Sequence, residues 1–96
     1  MTGVSHGSWT IRSVSVNSEP VMDADGFKQM VVSDSQVEIL PAGIEFVIAQ
    51  ATSRTAILES RSQVFFADYF QKDGELTLNL TRPSLSEKIS LNARLD

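Results

Sequence analysis

The stretch VFFADYFQKDGELTLNL, residues 64–80, decides the fold. Lys72-Asp73-Gly74 stands near its centre. An Asp-Gly pair takes the positive φ angles that a two-residue hairpin loop needs. After the turn, Leu76, Leu78 and Leu80 alternate with Glu75, Thr77, Asn79 and Thr81. That period of two belongs to a strand with one wet face. Before the turn both parities are apolar: Val64, Phe66 and Phe70 share one with Asp68, while Phe65, Ala67 and Tyr69 share the other. Such a strand is expected to be central or covered.

The same rhythm runs outward in both directions. Beyond Arg82-Pro83-Ser84, residues Ile89, Leu91, Ala93 and Leu95 alternate with Ser90, Asn92 and Arg94. Upstream lie Thr55–Glu59 with Ala56 and Leu58 on one face, then Ile44, Phe46 and Ile48, then Val37 and Ile39, then Lys28–Val32. Polar or Gly/Pro turns separate them: Ser60-Arg61-Ser62, 51–54, Pro41-Ala42-Gly43 and Ser33-Asp34-Ser35. The first strand spans Ser8–Val16. Trp9 and Ile11 share a face there, whereas Val14 and Val16 share the opposite one, and this parity switch near Ser13 predicts a bulge. Asn17-Ser18-Glu19-Pro20 reads as a turn, with Pro20 excluded from a central strand. Residues 21–26 read as a loop or one helical turn.

Eight short strands joined by short links must pair antiparallel, because a parallel crossover needs a dozen or more residues. The expected fold is all-β: an up-and-down antiparallel meander closing into a small barrel, with a two-sheet β-sandwich as the alternative, since both use the same alternation. At 96 residues this is one domain, 1–96, with 1–7 read as a flexible N-terminal segment. Hydrophobic residues make up 42% and charged residues 21%, as in an ordinary globular protein.

Charge and composition narrow the function classes. Eight bases against twelve acids give a net charge of −4, and the bases form no run, so no nucleic-acid partner is expected. No apolar stretch approaches the ~20 residues of a helical membrane span. The start, MTGVSHGSWT, lacks the basic and apolar regions of a signal peptide. The absence of cysteine points either to a reducing, cytoplasmic compartment or to a core that suffices without disulfides, and localisation is left open.

Gly7-Ser8-Trp9, at the head of the first strand, resembles the Gly-x-Trp start of lipocalins and the wider calycin group. The chain is also similar to a family of short lipocalin-like bacterial proteins of unknown function, many from planctomycetes. In that family a late hairpin reads Tyr, then Asp-Gly-Asp/Glu-x-Leu-x-Leu, then proline. Tyr69, Asp73-Gly74-Glu75-Leu76, Leu78 and Pro83 match it in order. The resemblance implies a small β-barrel and an arginine from the last strand packed over Trp9, which makes Arg94 the candidate and Arg82 the second choice. True lipocalins are longer and carry a C-terminal helix. The shorter strands here imply a smaller interior.

Site chemistry is sparse. Trp9 is read as a core residue, Gly74 as the turn glycine and Arg94 as the tryptophan's partner. Asp68, within an apolar strand, is the most interesting acid. Pointing inward, it would anchor a ligand site lined by Phe46, Phe66 and Phe70. The alternative is that Asp68 lies near the strand end or that Phe65 and Tyr69 define the inner face, since inward charges are rare. Glu45 raises the same question beside Phe46. Asp23-Ala24-Asp25-Gly26 has the opening of a calcium loop, but Met30 and Val31 stand where ligands should and position twelve is Asp34, so the expectation is a polar loop and no metal. His6 has no partner at readable spacing, no Gly-x-Ser-x-Gly elbow occurs, and no phosphate loop is present. The chain is therefore expected not to be an enzyme and to need no cofactor. The leading expectation is a domain binding a small apolar or amphipathic ligand at the barrel mouth. The alternative is a solid-core structural or protein-interaction domain, with Phe65, Tyr69 and Val47 as the partner patch. Oligomeric state is left open.

Overall fold

A computed structural model describes residues 3–22 and 24–96. Nine strands follow one another: β1 Gly7–Val16, β2 Glu19–Pro20, β3 Phe27–Val32, β4 Gln36–Pro41, β5 Ile44–Ala51, β6 Thr55–Ser60, β7 Gln63–Lys72, β8 Glu75–Arg82 and β9 Glu87–Leu95. They lie side by side in the order β2-β1-β3-β4-β5-β6-β7-β8-β9, all antiparallel, and β1 also pairs with β9. The eight long strands thus close into an up-and-down barrel, with β2 a two-residue addition to the end of β1. The sandwich alternative is excluded by the β1–β9 ladder. Pro20 falls in β2, where no further ladder needs its missing N–H.

Closure rests on a bulge. β1 pairs with β3 through Gly7–Thr10 and with β9 from Trp9 to Val16. The β9 register slips between Ile11 and Ser13, which inserts one extra residue and returns Val14 to the side of Trp9 and Ile11. All three are buried. The parity switch in the sequence is this bulge.

The two-residue loops use mirror-image turns. Asp73-Gly74 has φ of +53° and +76°, as an Asp-Gly hairpin requires. Asn17-Ser18 and Arg61-Ser62 adopt the same geometry without glycine, at φ of +51° and +71°, and +51° and +65°. Each side chain forced into this region costs about 1–2 kcal/mol.

Hairpin register then assigns the faces of β7. With Asp73-Gly74 as the loop, Lys72 pairs with Glu75, so Tyr69 falls opposite Leu78 and Ala67 opposite Leu80. Phe65, Ala67 and Tyr69 therefore face the interior with the β8 leucines. Phe66, Asp68 and Phe70 lie on the outer face opposite Thr81, Asn79 and Thr77, and do not line the inside as the sequence reading had it. Val47 lies outside as expected, but Phe65 and Tyr69 do not join it in a surface patch.

The middle of the barrel is solid. Trp9, Met30, Leu58, Leu76, Leu78 and Leu91 are all at most 1% exposed. One end is closed by the chain's own start. Val4 is buried, Ser5 N–H donates to Gln71 Oε1 at 2.7 Å, and Gln71 Nε2 donates to Ser5 Oγ at 2.9 Å. Trp9 Nε1 donates to the Ser5 carbonyl at 3.0 Å. Gly3 lies against the Ser53 carbonyl so closely that a Cβ would collide with it. Residues 3–6 are therefore seated rather than loose, while Met1 and Thr2 lie outside the described residues. Arg94 points outward, opposite Thr10, and Trp9 pairs with Leu95. The tryptophan is covered by the N-terminal segment and not by Arg94. Beside it, the Asp96 carboxylate accepts from Thr10 and Ser8 hydroxyls across the β1–β9 seam, and these bonds hold it below the usual carboxylate range.

Tyr69 is the chain's one tyrosine. Its ring is buried, and its hydroxyl donates to the carbonyls of Thr52 and Thr55, the latter at 3.0 Å. Burial raises its pKa above the ordinary 10.0.

Two outcomes follow. Replacing Arg61-Ser62 with Asn-Gly should raise the denaturation midpoint at constant slope, a gain of about 1 kcal/mol, because the positive φ angles no longer oppose a side chain. Tyr69→Phe should cost about 1 kcal/mol for the lost hydroxyl bonds. A raised folded pKa means the neutral phenol is favoured by folding. That stabilisation is complete below pH ~10 and is lost as pH rises through the higher folded value. Phenolate absorbance followed beside circular dichroism reports it. Wild type should lose stability over that alkaline window and the Phe variant should not.

Candidate functional site

The end of the barrel opposite residues 3–6 is open, and the inward parity of each strand carries through to its lip. In β8 the buried series Leu76, Leu78, Leu80 ends in Arg82. In β9 the series Ala93, Leu91, Ile89 ends in Glu87. β7 reaches the lip with Phe65 and Gln63, β6 with Ser60, β5 with Phe46 and Ile44, and β3 with Phe27. Apolar residues at one depth and polar residues one step further out produce a cup with an apolar floor and a polar rim. Its volume is about 310 Å3.

Phe46 and Phe65 meet edge to face at 5.3 Å and 90°, a favoured aromatic geometry. The Arg82 guanidinium lies 5.7 Å from the centre of the Phe65 ring. A cation–π contact of this kind gains as the cation is withdrawn from water. Arg82 Nη1 donates to Gln63 Oε1 at 2.5 Å, and Nη2 donates to Glu87 Oε1 at 3.2 Å. Arg82 and Glu87 are the last cross-strand pair before the turn Pro83–Leu85, and their side chains are 22% and 32% exposed. Arg82 Nε is out of reach of solvent and donates to nothing. A buried donor left unmade costs about 1–3 kcal/mol.

The other hollows lack the aromatic pair and its partly buried arginine, among them two that lie close to the barrel ends. Near the closed end, a groove of about 700 Å3 runs past Val4, Ile48 and Ala51, with His6 Nδ1 3.4 Å from Asp34 Oδ1 on its flank. Asp34 is 95% exposed there, so the pair sits in water. A hollow of about 280 Å3 beside the mouth, under Val14, Val21 and Ala24, shares Phe27 and Ile89 with the cup and is mostly apolar, with Asp25 in its lining.

Of the residues expected to line a ligand site, Phe46 is in the cup and Phe66, Asp68 and Phe70 are outside it. Asp68 accepts from Asn79 Nδ2 at 2.8 Å, and Asn79 Oδ1 accepts from Ser90 Oγ at 2.8 Å, a polar ladder across the outer face of β7, β8 and β9. Glu45 lies on the outside of β5 opposite Glu38, so Asp68 and Glu45 share no pocket. Gly74 is the turn residue expected. Among the described residues no group of three or more His, Asp or Glu side chains is placed to hold a metal ion. The calcium-loop opening begins at Asp23, which lies outside the described residues. No helix among the described residues is long and apolar enough to cross a membrane.

Sequence reasoning missed Ile44, Phe65, Arg82 and Glu87 as site residues. The signal was present: extending the leucine parity of β8 by one step reaches Arg82, and extending that of β9 reaches Glu87. Apolar surface beside a partly buried cation suits capture of a small molecule. Compared with family models, curated proteins and solved structures, the chain matches none.

Proposed function

We propose that this chain is a small lipocalin-like binding domain whose open barrel end takes a small amphipathic molecule. The observation that carries the reading is the cup itself: about 310 Å3 of apolar-floored space at one end of an otherwise solid barrel. Ligand sites range upward from about 300 Å3, so this one suits the smallest ligands. At about 30 Å3 of liquid volume per water-sized group, it admits on the order of ten non-hydrogen atoms. Membership of the short bacterial, planctomycete-type group is part of the same proposal. It is supported by Gly7-Ser8-Trp9 entering β1, by the Tyr69 to Pro83 hairpin pattern, and by closure of eight antiparallel strands.

Octanol, with nine non-hydrogen atoms, is a suitable probe. Titrated into isotope-labelled protein, it should shift amide resonances of β5, β7 and β8 around Phe46, Phe65 and Leu80. Ser60 belongs to the inward series of β6, after Ala56 and Leu58. Ser60→Trp should fill the cup and weaken octanol at least tenfold with an unchanged denaturation midpoint. Saturable binding that ignores Ser60→Trp, or no binding by wild type, sinks the reading.

A second reading, a solid-core interaction domain, draws on the outer face. Val47, Val64, Phe66 and Phe70 are 44–56% exposed there. An apolar strand face of this kind suits packing against a second copy of itself. Light scattering over a concentration series decides: this reading expects a dimer that the double change Phe66→Ser and Phe70→Ser dissociates, and a strict monomer removes it.

A further inference from the structure

Resting on the mouth-binding reading, we infer that the ligand is an apolar monocarboxylate and that Arg82 receives its carboxylate in place of Glu87. A guanidinium is planar, and Nε–H and one Nη2–H lie along the same edge, the fork that a carboxylate grips with both oxygens. That edge is only half used. Glu87 Oε1 accepts from Nη2 at 3.2 Å, while Nε has no partner and no contact with water. The opposite side is taken, because Nη1 donates to Gln63 at 2.5 Å and the guanidinium lies over Phe65. The arginine is thus held in one orientation with its two-pronged edge incompletely satisfied.

Glu87 is held by less. It makes one bond to the guanidinium at the long end of the hydrogen-bond range, and its side chain is a third exposed. Rotating into water gives it back its hydration. Once Glu87 has left and that edge is uncovered, a carboxylate arriving from the cup takes both Nε–H and Nη2–H and so makes one more charge-assisted bond than it displaces. Its apolar body meanwhile covers Ile44, Phe46, Phe65, Leu80 and Ile89, the apolar lining of the cup. Charge at the lip fits an anion. Arg61 and Arg82 stand there against Glu87 alone, and once Glu87 swings away an amine would meet two cations and no carboxylate among the residues lining the cup. An alcohol of the same length would gain the apolar contacts but not the fork.

The test compares octanoate, octanol and octylamine at one pH and ionic strength, with binding read from amide shifts. Wild type should hold octanoate at least tenfold more tightly than octanol, and octylamine no more tightly than octanol. Arg82→Met keeps an unbranched apolar stem over Phe65 and should bring octanoate level with octanol. Arg82→Lys keeps the charge without the fork and should retain only a small part of the octanoate advantage. Glu87→Gln removes the competing carboxylate and should tighten octanoate severalfold while leaving octanol unchanged. Octanoate binding no better than octanol overturns the inference and leaves the mouth-binding reading standing. An octanoate advantage that survives Arg82→Met also overturns it. Failure of all three probes to bind is the separate result that removes the underlying reading. If Arg82→Met does not fold, the Glu87→Gln comparison decides: unchanged octanoate affinity there counts against the exchange.

Discussion

β1 is hydrogen-bonded on both sides, to β3 along its first half and to β9 from Trp9 to Val16. That double pairing turns an eight-stranded meander into a ring and removes the open edges that would invite association. It is possible only because the slip between Ile11 and Ser13 lets a ten-residue strand bend while keeping Trp9, Ile11 and Val14 inside. Without the extra residue, Val14 and Val16 would turn to solvent and Leu91 and Ile89 of β9 would lose their partners. The seam carries further bonds at its end. Asp96 N–H donates to the Ser8 carbonyl at 3.1 Å, and its carboxylate gathers the Ser8 and Thr10 hydroxyls.

Closure on this scale leaves little to enclose. Eight strands make a barrel whose side chains fill it, and Trp9, Met30, Leu58, the leucines of β8 and Leu91 of β9 do so here. The two ends are then treated differently. One receives Val4 and Ser5, tied down through Gln71 and the Trp9 indole. The other ends in shorter or polar side chains, Ser60, Gln63, Arg82 and Glu87, so its floor stays open. Under the proposed reading, a ligand taken into the barrel is therefore small and enters at the mouth. At the rim Gln63 and Glu87 hold the guanidinium, and among the described residues Arg82 Nε is the one buried side-chain polar atom without a hydrogen-bond partner.

Much of this was legible along the chain. The alternation in β8 and β9, the turn chemistry of Asp73-Gly74 and the bulge near Ser13 each rest on local geometry, so each appears in the linear order of residues. The faces of β7 were legible too, by a step beyond alternation. A strand that is apolar on both sides does not declare its inner face, but a two-residue loop sets Tyr69 opposite Leu78 and thereby decides it. Reading Asp68 as a buried anchor came from treating β7 alone, when its partner strand held the answer. The role of Arg94 failed for a related reason. Its place in β9 alternates with Ala93 and Leu95, and parity alone points it away from the core.

By itself the sequence determined the class of the fold, its strand order and most of the core, because periods of two and turn residues act over a few positions. Only the tertiary structure decided that residues 3–6 are seated on Gln71 over Trp9 and that the mouth residues of six strands converge on one cup. Those are contacts between strand ends that lie far apart in the chain or on strands not hydrogen-bonded to one another. They exist because ring closure brings the ends of β3, β5, β6, β7, β8 and β9 around a common axis, and no local pattern of residues records that distance. The opening reading of a meander with a turn at Asp73-Gly74 holds. What closure added is a solid interior, one capped end and one open end with an arginine at its lip.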